Sequence, residues 1–334
     1  MKTITGLFFI LLFIFLASGC IGDLPAGCPP KCTGHDFIGK DLSNQEFMET
    51  DFSKSDMMNV DLQNANLSGA KLVETDLESA NLNNTILVGA DLSYANLRNT
   101  KMDGVILNGA NLCGAKLGRV DLKTAIMRGV RLKEAELVGT DLSGVHLSGT
   151  EMDYANLSGA TLVNTRFDGT VLSFSDFSGA DMRNSSITGS WLNLTVLKGA
   201  DMTGINLSGS ILLGANLTGA KLNNAKLTGV SLIGANLSGA DLRGANLLGA
   251  TLTLPIPFNA DKNFSYQKLT GQELMDAINL TSLSKPLQDR RIAALTEVRL
   301  KPLLKDTNLQ GVLYNNATIW PADFVIPNSA VNED

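Results

Sequence analysis

The chain has 334 residues and a formal net charge of -6, and its composition is rich in Gly (32) but poor in Pro (9) and in aromatic residues (6%). A charge of this size provides no strong overall field that would attract nucleic acid or an anionic membrane surface. Eleven acids and three lysines between Asp36 and Asp91 give -8, whereas twelve acids and fourteen bases in residues 92–254 give +2, so only the N-terminal part is acidic.

The first twenty residues have the pattern of an export signal. Lys2 precedes an apolar run from Gly6 to Ala17, which is too short for a helix that spans roughly 30 Å of hydrocarbon. The run ends in the sequence LASGC at residues 16–20, which resembles the lipobox of bacterial lipoproteins. The resemblance implies that Cys20 is lipidated and holds the mature chain on a membrane, outside the cytoplasm. A signal peptide that is cleaved elsewhere and an uncleaved N-terminal anchor are the alternatives.

Residues 21–34 are predicted to form a linker, which contains a close pair of cysteines, Cys28 and Cys32, in the sequence CPPKC. In an oxidising compartment such a pair favours a local disulfide. Two free thiols are the second possibility. A metal site is the third, although His35 is the one further candidate ligand nearby and such a site needs more ligands.

The central region repeats with a period of five. From Phe37 to Leu252 every fifth residue is Leu, Met, Phe or Ile without a slip, which gives 44 pentads over residues 35–254. The residue two places before the large one is mostly small, and the residue between them is mostly Asp or Asn. Gly is frequent two places after it, as in Ala65-Asn66-Leu67-Ser68-Gly69. A period of five fits neither a helix nor a simple strand, so the chain must turn a corner in every repeat to keep one side inward.

The motif A-(D/N)-L-x-G resembles the pentapeptide-repeat family over about two-thirds of the chain. The resemblance implies an all-β solenoid, a right-handed quadrilateral β-helix with four pentads per coil. The 44 pentads would then form about eleven coils, and the rod would be about 53 Å long at roughly 4.8 Å per coil. Some members of the family resemble duplex DNA and protect type II topoisomerases from inhibitors. That function is the main alternative for this chain, and an export signal argues against it.

The C-terminal region interrupts the repeat. Pro255-Ile256-Pro257 ends it, and the sequence TGQE fits the capping box of a short helix that begins near residue 270. A second helix is predicted from Ser284 to Leu300, with Ile292, Leu295 and Val298 on its apolar side. The pentad phase returns at residue 307, so we predict a helical insertion at 255–306 and a returning cap and tail at 307–334. Two unrelated tail helices followed by a chance pentad are the alternative.

The sequence offers no catalytic or cofactor site. Its two histidines, His35 and His146, are more than 100 residues apart, and no phosphate-binding, dinucleotide-binding or zinc motif is present. Most carboxylates occupy the Asp/Asn position of the repeat, where they are expected to accept backbone hydrogen bonds. We therefore predict a protein that is not an enzyme and needs no cofactor or metal. An enzymatic or ligand-binding module in the insertion has no residues to support it.

Large apolar residues replace polar ones on one side of the predicted rod. Residues twenty apart should stack on successive coils, so eight of them would form one exposed patch: Tyr154, Val171, Phe174, Trp191, Leu194, Val196, Ile211 and Leu213. Such a patch usually marks an interaction site, and we predict an unidentified protein partner here. Cover by the C-terminal helices and drift without a role are the alternatives. A smaller ladder consists of Ile86, Ile106 and Ile126. Nucleic acid is not an expected partner, and the oligomeric state is left open.

Overall fold

The computed structural model describes residues 24–252, 307–321, 326 and 328–332. Over most of this length the chain winds into a stack of coils. The residue at the Asp/Asn position of a pentad forms a parallel β-bridge with the residue twenty places later, and this spacing holds from Lys31–Asp51 to Ser231–Thr251. Four pentads therefore complete one coil, and the rod has four faces.

Each pentad consists of a short extended segment and a tight turn, as residues 66–70 illustrate. The Asn66 side-chain Oδ1 accepts hydrogen bonds from the Ser68 N–H and Oγ–H, at 3.1 and 2.7 Å. The Ala70 N–H donates to the Leu67 carbonyl oxygen at 3.0 Å and closes the turn. Gly69 has a φ of +67°, a region that glycine adopts without strain and asparagine tolerates better than most residues. Leu67 and Ala70 point inward and are fully buried.

Backbone hydrogen bonds join every coil to both of its neighbours. The Leu67 N–H donates to the Ile86 carbonyl oxygen at 2.7 Å, and the Asn66 N–H donates in the opposite direction to the Gln45 carbonyl oxygen at 2.9 Å. Because this pattern recurs in successive pentads, side chains twenty residues apart are held in columns along the rod. The columns turn residues that are distant in sequence into continuous surfaces.

The interior is a stack of the large apolar residues of the repeat. Every member of the series from Phe37 to Leu252 is 3% exposed or less, so the residues that we predicted to point inward do so. Full burial of one such side chain contributes about 1.5–3 kcal/mol to the free energy of unfolding. Because every pentad buries one, these contributions are distributed along the whole rod. In the first coils Phe37 and Phe47 pack edge-on against Phe52, with ring centroids 5.5 and 5.2 Å apart.

The coils begin one pentad earlier than the sequence suggested. Lys31 bridges to Asp51, and Cys32 takes the inward position with no exposed surface. Residues 31–34, which we assigned to the linker, therefore belong to the first coil, because a cysteine stands where the repeat has leucine. The structure joins Cys32 to Cys28 by a disulfide, and Leu24 packs against the same core.

The ladder stops after Leu252 and resumes at Thr307. The Thr307 N–H donates to the Leu252 carbonyl oxygen at 3.2 Å, which is the bond that closes the turn in other pentads. Thr307 therefore takes the place that residue 255 would have in an uninterrupted ladder. The next residue, Asn308, bridges to Asn236 one coil below.

Two short strands follow at this end of the rod. Strand β1 (Leu313–Tyr314) pairs in parallel with strand β2 (Val331–Asn332). The predicted signal segment with Cys20 and the predicted insertion at 255–306 lie outside the described residues. Within the described part of the chain, no helix is long and apolar enough to cross a membrane.

Candidate interaction surface

On two of the four faces, three successive coils carry a large apolar residue at the bridging position. We call one the tryptophan face, because its bridging column contains Val171, Trp191 and Ile211. We call the other the isoleucine face, because its bridging column contains Ile86, Ile106 and Ile126. In both columns parallel bridges join consecutive members, so each side chain lies one coil above the last.

The structure assembles seven of the eight predicted patch residues on the tryptophan face. Beside the bridging column, Leu213 lies two residues after Ile211, and the adjoining turn column contains Tyr154, Phe174 and Leu194. Val196 instead bridges to Asp176 and so belongs to the next face, around the corner from Leu194.

The predicted exposure of this patch is wrong for three of its members. Trp191 is 5% exposed, Ile211 6% and Leu213 2%. Four others are half-buried: Val171, Phe174, Leu194 and Val196. Only Tyr154, with 43% of its surface accessible, is exposed. The position of a residue in the pentad determines the direction of its side chain, but it does not determine exposure. The side chains of Trp191, Ile211 and Leu213 point outward and are covered by other atoms of the chain.

The buried area extends beyond the predicted patch. Ser173, Asn193 and Ile233 stand in the same column as Leu213 and are also buried. Ile233 was not predicted to belong to the patch, although it stands twenty residues after Leu213 at a position that is usually polar in the repeat. That spacing would have identified it.

An aromatic pair and a titratable carboxyl group border one end of the tryptophan face. The rings of Tyr154 and Phe174 stack with centroids 4.7 Å apart and an interplanar angle of 3°. The Lys133 ammonium lies 5.9 Å from the centroid of the Tyr154 ring. Burial raises the pKa of Asp153 to about 6, with the charge of Lys133 opposing the rise and that of Glu151 adding to it. The sequence alone did not indicate this group, because an aspartate outside the usual Asp/Asn position gives no sign of its burial.

The isoleucine face is more open. Ile126 is 46% exposed, and Val88, two residues after Ile86, is 41% exposed, while Ile86 and Ile106 are half-buried. Its turn column is glycine in ten successive coils, from Gly69 to Gly249. At eight of these ten positions an added Cβ would meet no atom within 4 Å. Glycine is therefore favoured there by the positive φ of the turn and not by a lack of space for a side chain. With no side chain along this corner, a flat partner surface could approach the isoleucines closely.

The repeat geometry agrees with a comparison of the sequence with protein families. A family model described as pentapeptide repeats matches in eight copies, in segments that run from residues 31–64 to residues 220–254. The chain belongs to the pentapeptide-repeat family. These repeats form a right-handed β-helical solenoid, which is generally a structural and non-enzymatic fold.

Three solved pentapeptide-repeat structures illustrate the similarity. HetL, involved in heterocyst differentiation regulation in the cyanobacterium Nostoc sp. strain PCC 7120, is 31% identical, with 67% of this chain and 91% of that chain covered and a TM-score of 0.33. A protein of the Arabidopsis thaliana thylakoid lumen is 28% identical, with 36% and 69% covered and a TM-score of 0.24. QnrB1, a plasmid-mediated fluoroquinolone resistance protein, is 22% identical, with 54% and 88% covered and a TM-score of 0.27. No functionally curated protein matches the chain.

Many carboxylates at the Asp/Asn position of this pentapeptide-repeat chain accept hydrogen bonds within their own turn. Asp141 is typical, because its Oδ1 accepts hydrogen bonds from the Ser143 N–H and Oγ–H at 3.0 and 2.7 Å. The structure does not bring His35 and His146 together, since His35 lies in the first coil and His146 bridges to Arg166 several coils further along. Among the described residues, no group of three or more His, Cys, Asp or Glu side chains could hold a metal ion.

Proposed function

We propose that this pentapeptide-repeat protein is a non-enzymatic interaction rod of about eleven coils. In this proposal a lipid on Cys20 holds the rod at the outer side of a membrane, and a protein partner binds the isoleucine face. The repeated bonds between neighbouring coils make such a rod a suitable scaffold, because they hold the outward columns in fixed positions.

The observation that carries this proposal is the apolar ladder of Ile86, Ile106 and Ile126, in which Ile126 is exposed and the other two are half-buried. Three successive coils have isoleucine where the repeat favours Asp or Asn, and the exposed Val88 lies beside the first of them. A polar residue precedes the ladder at Asn66 and another follows it at His146, so an apolar centre has polar ends. Contiguous apolar surface of this kind is characteristic of interaction sites.

The export signal and the uneven charge support the proposed anchor. The LASGC sequence at residues 16–20 contains a candidate for lipidation, Cys20, eleven residues before the first coil begins at Lys31. The coils nearest to it are acidic, with Asp36, Asp41 and Glu46 at outward positions. Anionic headgroups would repel this end, which favours a rod that stands away from the membrane surface.

The partner site can be tested in the native envelope with the full chain. A photo-reactive amino acid at Ile106 should give a covalent adduct with one protein, and the same amino acid at Asn206, five coils further along the same column, should not. Replacing both neighbours, Ile86→Asn and Ile126→Asn, should abolish the adduct at position 106. These changes restore the residue that the repeat favours, as at Asn66, so the rod should stay folded. An adduct that forms equally at both positions, or that survives the double substitution, would contradict the proposed site.

The anchor is tested separately. Cys20→Ser should release the chain from the membrane fraction, whereas Cys113→Ser should leave it there, and membrane retention of the first variant would contradict the lipid anchor. The same fractionation separates this proposal from the topoisomerase-binding alternative, which requires the full-length chain to remain in the cytoplasm.

A further inference from the structure

Burial on the tryptophan face exceeds what the coils themselves provide. Six outward positions on four successive coils are 8% exposed or less: Ser173, Trp191, Asn193, Ile211, Leu213 and Ile233. On the described coils between residues 31 and 252, the one other buried outward position is Ser93, on the same face. Burial of outward positions on these coils is therefore restricted to one face of the rod.

The isoleucine face shows that stacking alone does not produce this burial. Ile106 lies between Ile86 and Ile126 in the same bridged geometry and is still only half-buried. Trp191 has a larger side chain in an equivalent position and is almost fully buried. Further atoms of this chain must therefore lie over the tryptophan face.

The insertion begins and ends at one end of this face. Ser231 and Thr251 continue the column of Trp191 and Ile211, and the ladder stops with the next residue. Thr307 returns to the same corner, where its Oγ1–H lies within hydrogen-bond distance of the carbonyl oxygens of Leu232 and Leu252, at 2.7 and 2.6 Å. Both ends of the interrupting segment thus lie beside the buried columns.

The N-terminal segment is much further away. The coils begin at Lys31, which belongs to the same column as Trp191 but lies eight coils from it. At roughly 4.8 Å per coil this separation is about 38 Å. Residues 1–23 would have to run back along most of the rod to cover Trp191, whereas the insertion starts three coils from it.

The length and the sequence of the insertion also fit. From Val171 to Thr251 the column spans four coils, or about 19 Å. The helix that the sequence predicts from Ser284 to Leu300 would be about 25 Å long, enough to lie along all of them. Its apolar side contains Ile292, Leu295 and Val298, which are suited to contact with an apolar surface.

We propose that the insertion, residues 255–306, packs along the tryptophan face and covers it. The patch that the sequence suggested for an external partner is then an interface within the chain. The inference does not depend on the proposed function, and it leaves the isoleucine face as the open apolar side of the rod.

Trp191 itself can report on this contact. The chain has two tryptophans, so a Trp320→Phe background leaves Trp191 as the single tryptophan, which can be excited selectively at wavelengths that tyrosine does not absorb. Deletion of residues 255–306 joins Leu254 to Thr307 and preserves the pentad phase, so the rod should still fold, as far-UV circular dichroism would verify. Emission of Trp191 should then shift to the red, and its quenching by acrylamide should increase several-fold over that of the undeleted chain.

A matched deletion and a substitution complete the experiment. Removal of residues 1–23 should leave the quenching of Trp191 unchanged. The double substitution Ile292→Glu and Leu295→Glu keeps the chain length and should raise quenching as the deletion does, which tests the contact even if the deleted chain does not fold. The proposal would be overturned if Trp191 is readily quenched in the undeleted chain, if neither insertion variant raises quenching, or if removal of residues 1–23 raises it.

Discussion

Asp153 should lower the stability of the rod as pH rises. Burial raises the pKa of this carboxyl group to about 6, so folding favours its protonated form. The unfolded chain has the ordinary value near 3.8, and stability is therefore fully present below that pH and is lost as pH rises towards 6. A shift of about two units corresponds to roughly 3 kcal/mol at 1.36 kcal/mol per unit, and partial solvent access reduces this to about 1–2 kcal/mol.

The measurement is urea denaturation of the parent and of Asp153→Asn at pH 4 and pH 7.5. The substitution removes the charge and keeps the shape, so at pH 7.5 it should raise the free energy of unfolding by about 1–2 kcal/mol. At pH 4 the gain should be much smaller, because the folded parent is already protonated at this site. A gain of equal size at both pH values, or a loss at pH 7.5, would refute the reasoning.

Asp141 provides a control of opposite sign. Burial acts to raise its pKa, but hydrogen bonds from Ser143 and the nearby charge of Lys123 outweigh burial and hold the pKa below its usual value. Its contribution to stability is therefore present at neutral pH and is lost as pH falls through the lowered pKa. Asp141→Asn should accordingly lower the free energy of unfolding at pH 7.5.

Three further predictions concern the core, the turns and the cysteine pair. In urea denaturation, Leu157→Ala should cost about 2–5 kcal/mol, and Leu248→Ala, at a 55% exposed outward position, less than about 0.5 kcal/mol. Gly129→Ala should cost about 1–2 kcal/mol because its φ is +65°, and Gly129→Asn less; equal costs would contradict the strain argument. Cys28 and Cys32 should resist alkylation until a reductant is added, and Cys28→Ser should cost about 2 kcal/mol for so short a loop. Two thiols that react without reductant would exclude the bridge.

The interior of the rod could be predicted residue by residue because each pentad has the same local geometry. Whether Leu67 points inward depends on its place in the period of five, and nothing distant in the sequence changes that. The start of the ladder at Cys32 was not predicted, because the series was defined by Leu, Met, Phe and Ile and a cysteine at the inward position does not belong to it.

The surface could be predicted only in part. The period of twenty correctly brings Trp191 into one column with Val171 and Ile211, because bridges between coils keep the phase. The period of twenty does not determine which atoms lie over Trp191, because residues outside the repeat do not follow that period. The position of Val196 on the neighbouring face shows a further limit: closeness in sequence to Leu194 does not keep a residue on the same side of a corner.

The twenty-residue spacing of the bridges also restricts how the length of this chain can change. Loss of one whole coil would shorten the rod by about 4.8 Å and leave every later residue in its original column. Loss of a single pentad would shorten it less but turn everything beyond the deletion by a quarter of a revolution. The segment that leaves the ladder after Leu252 would then start from a different side than the one occupied by Trp191. Wherever the two ends must keep their relative orientation, the chain can gain or lose residues only in whole coils.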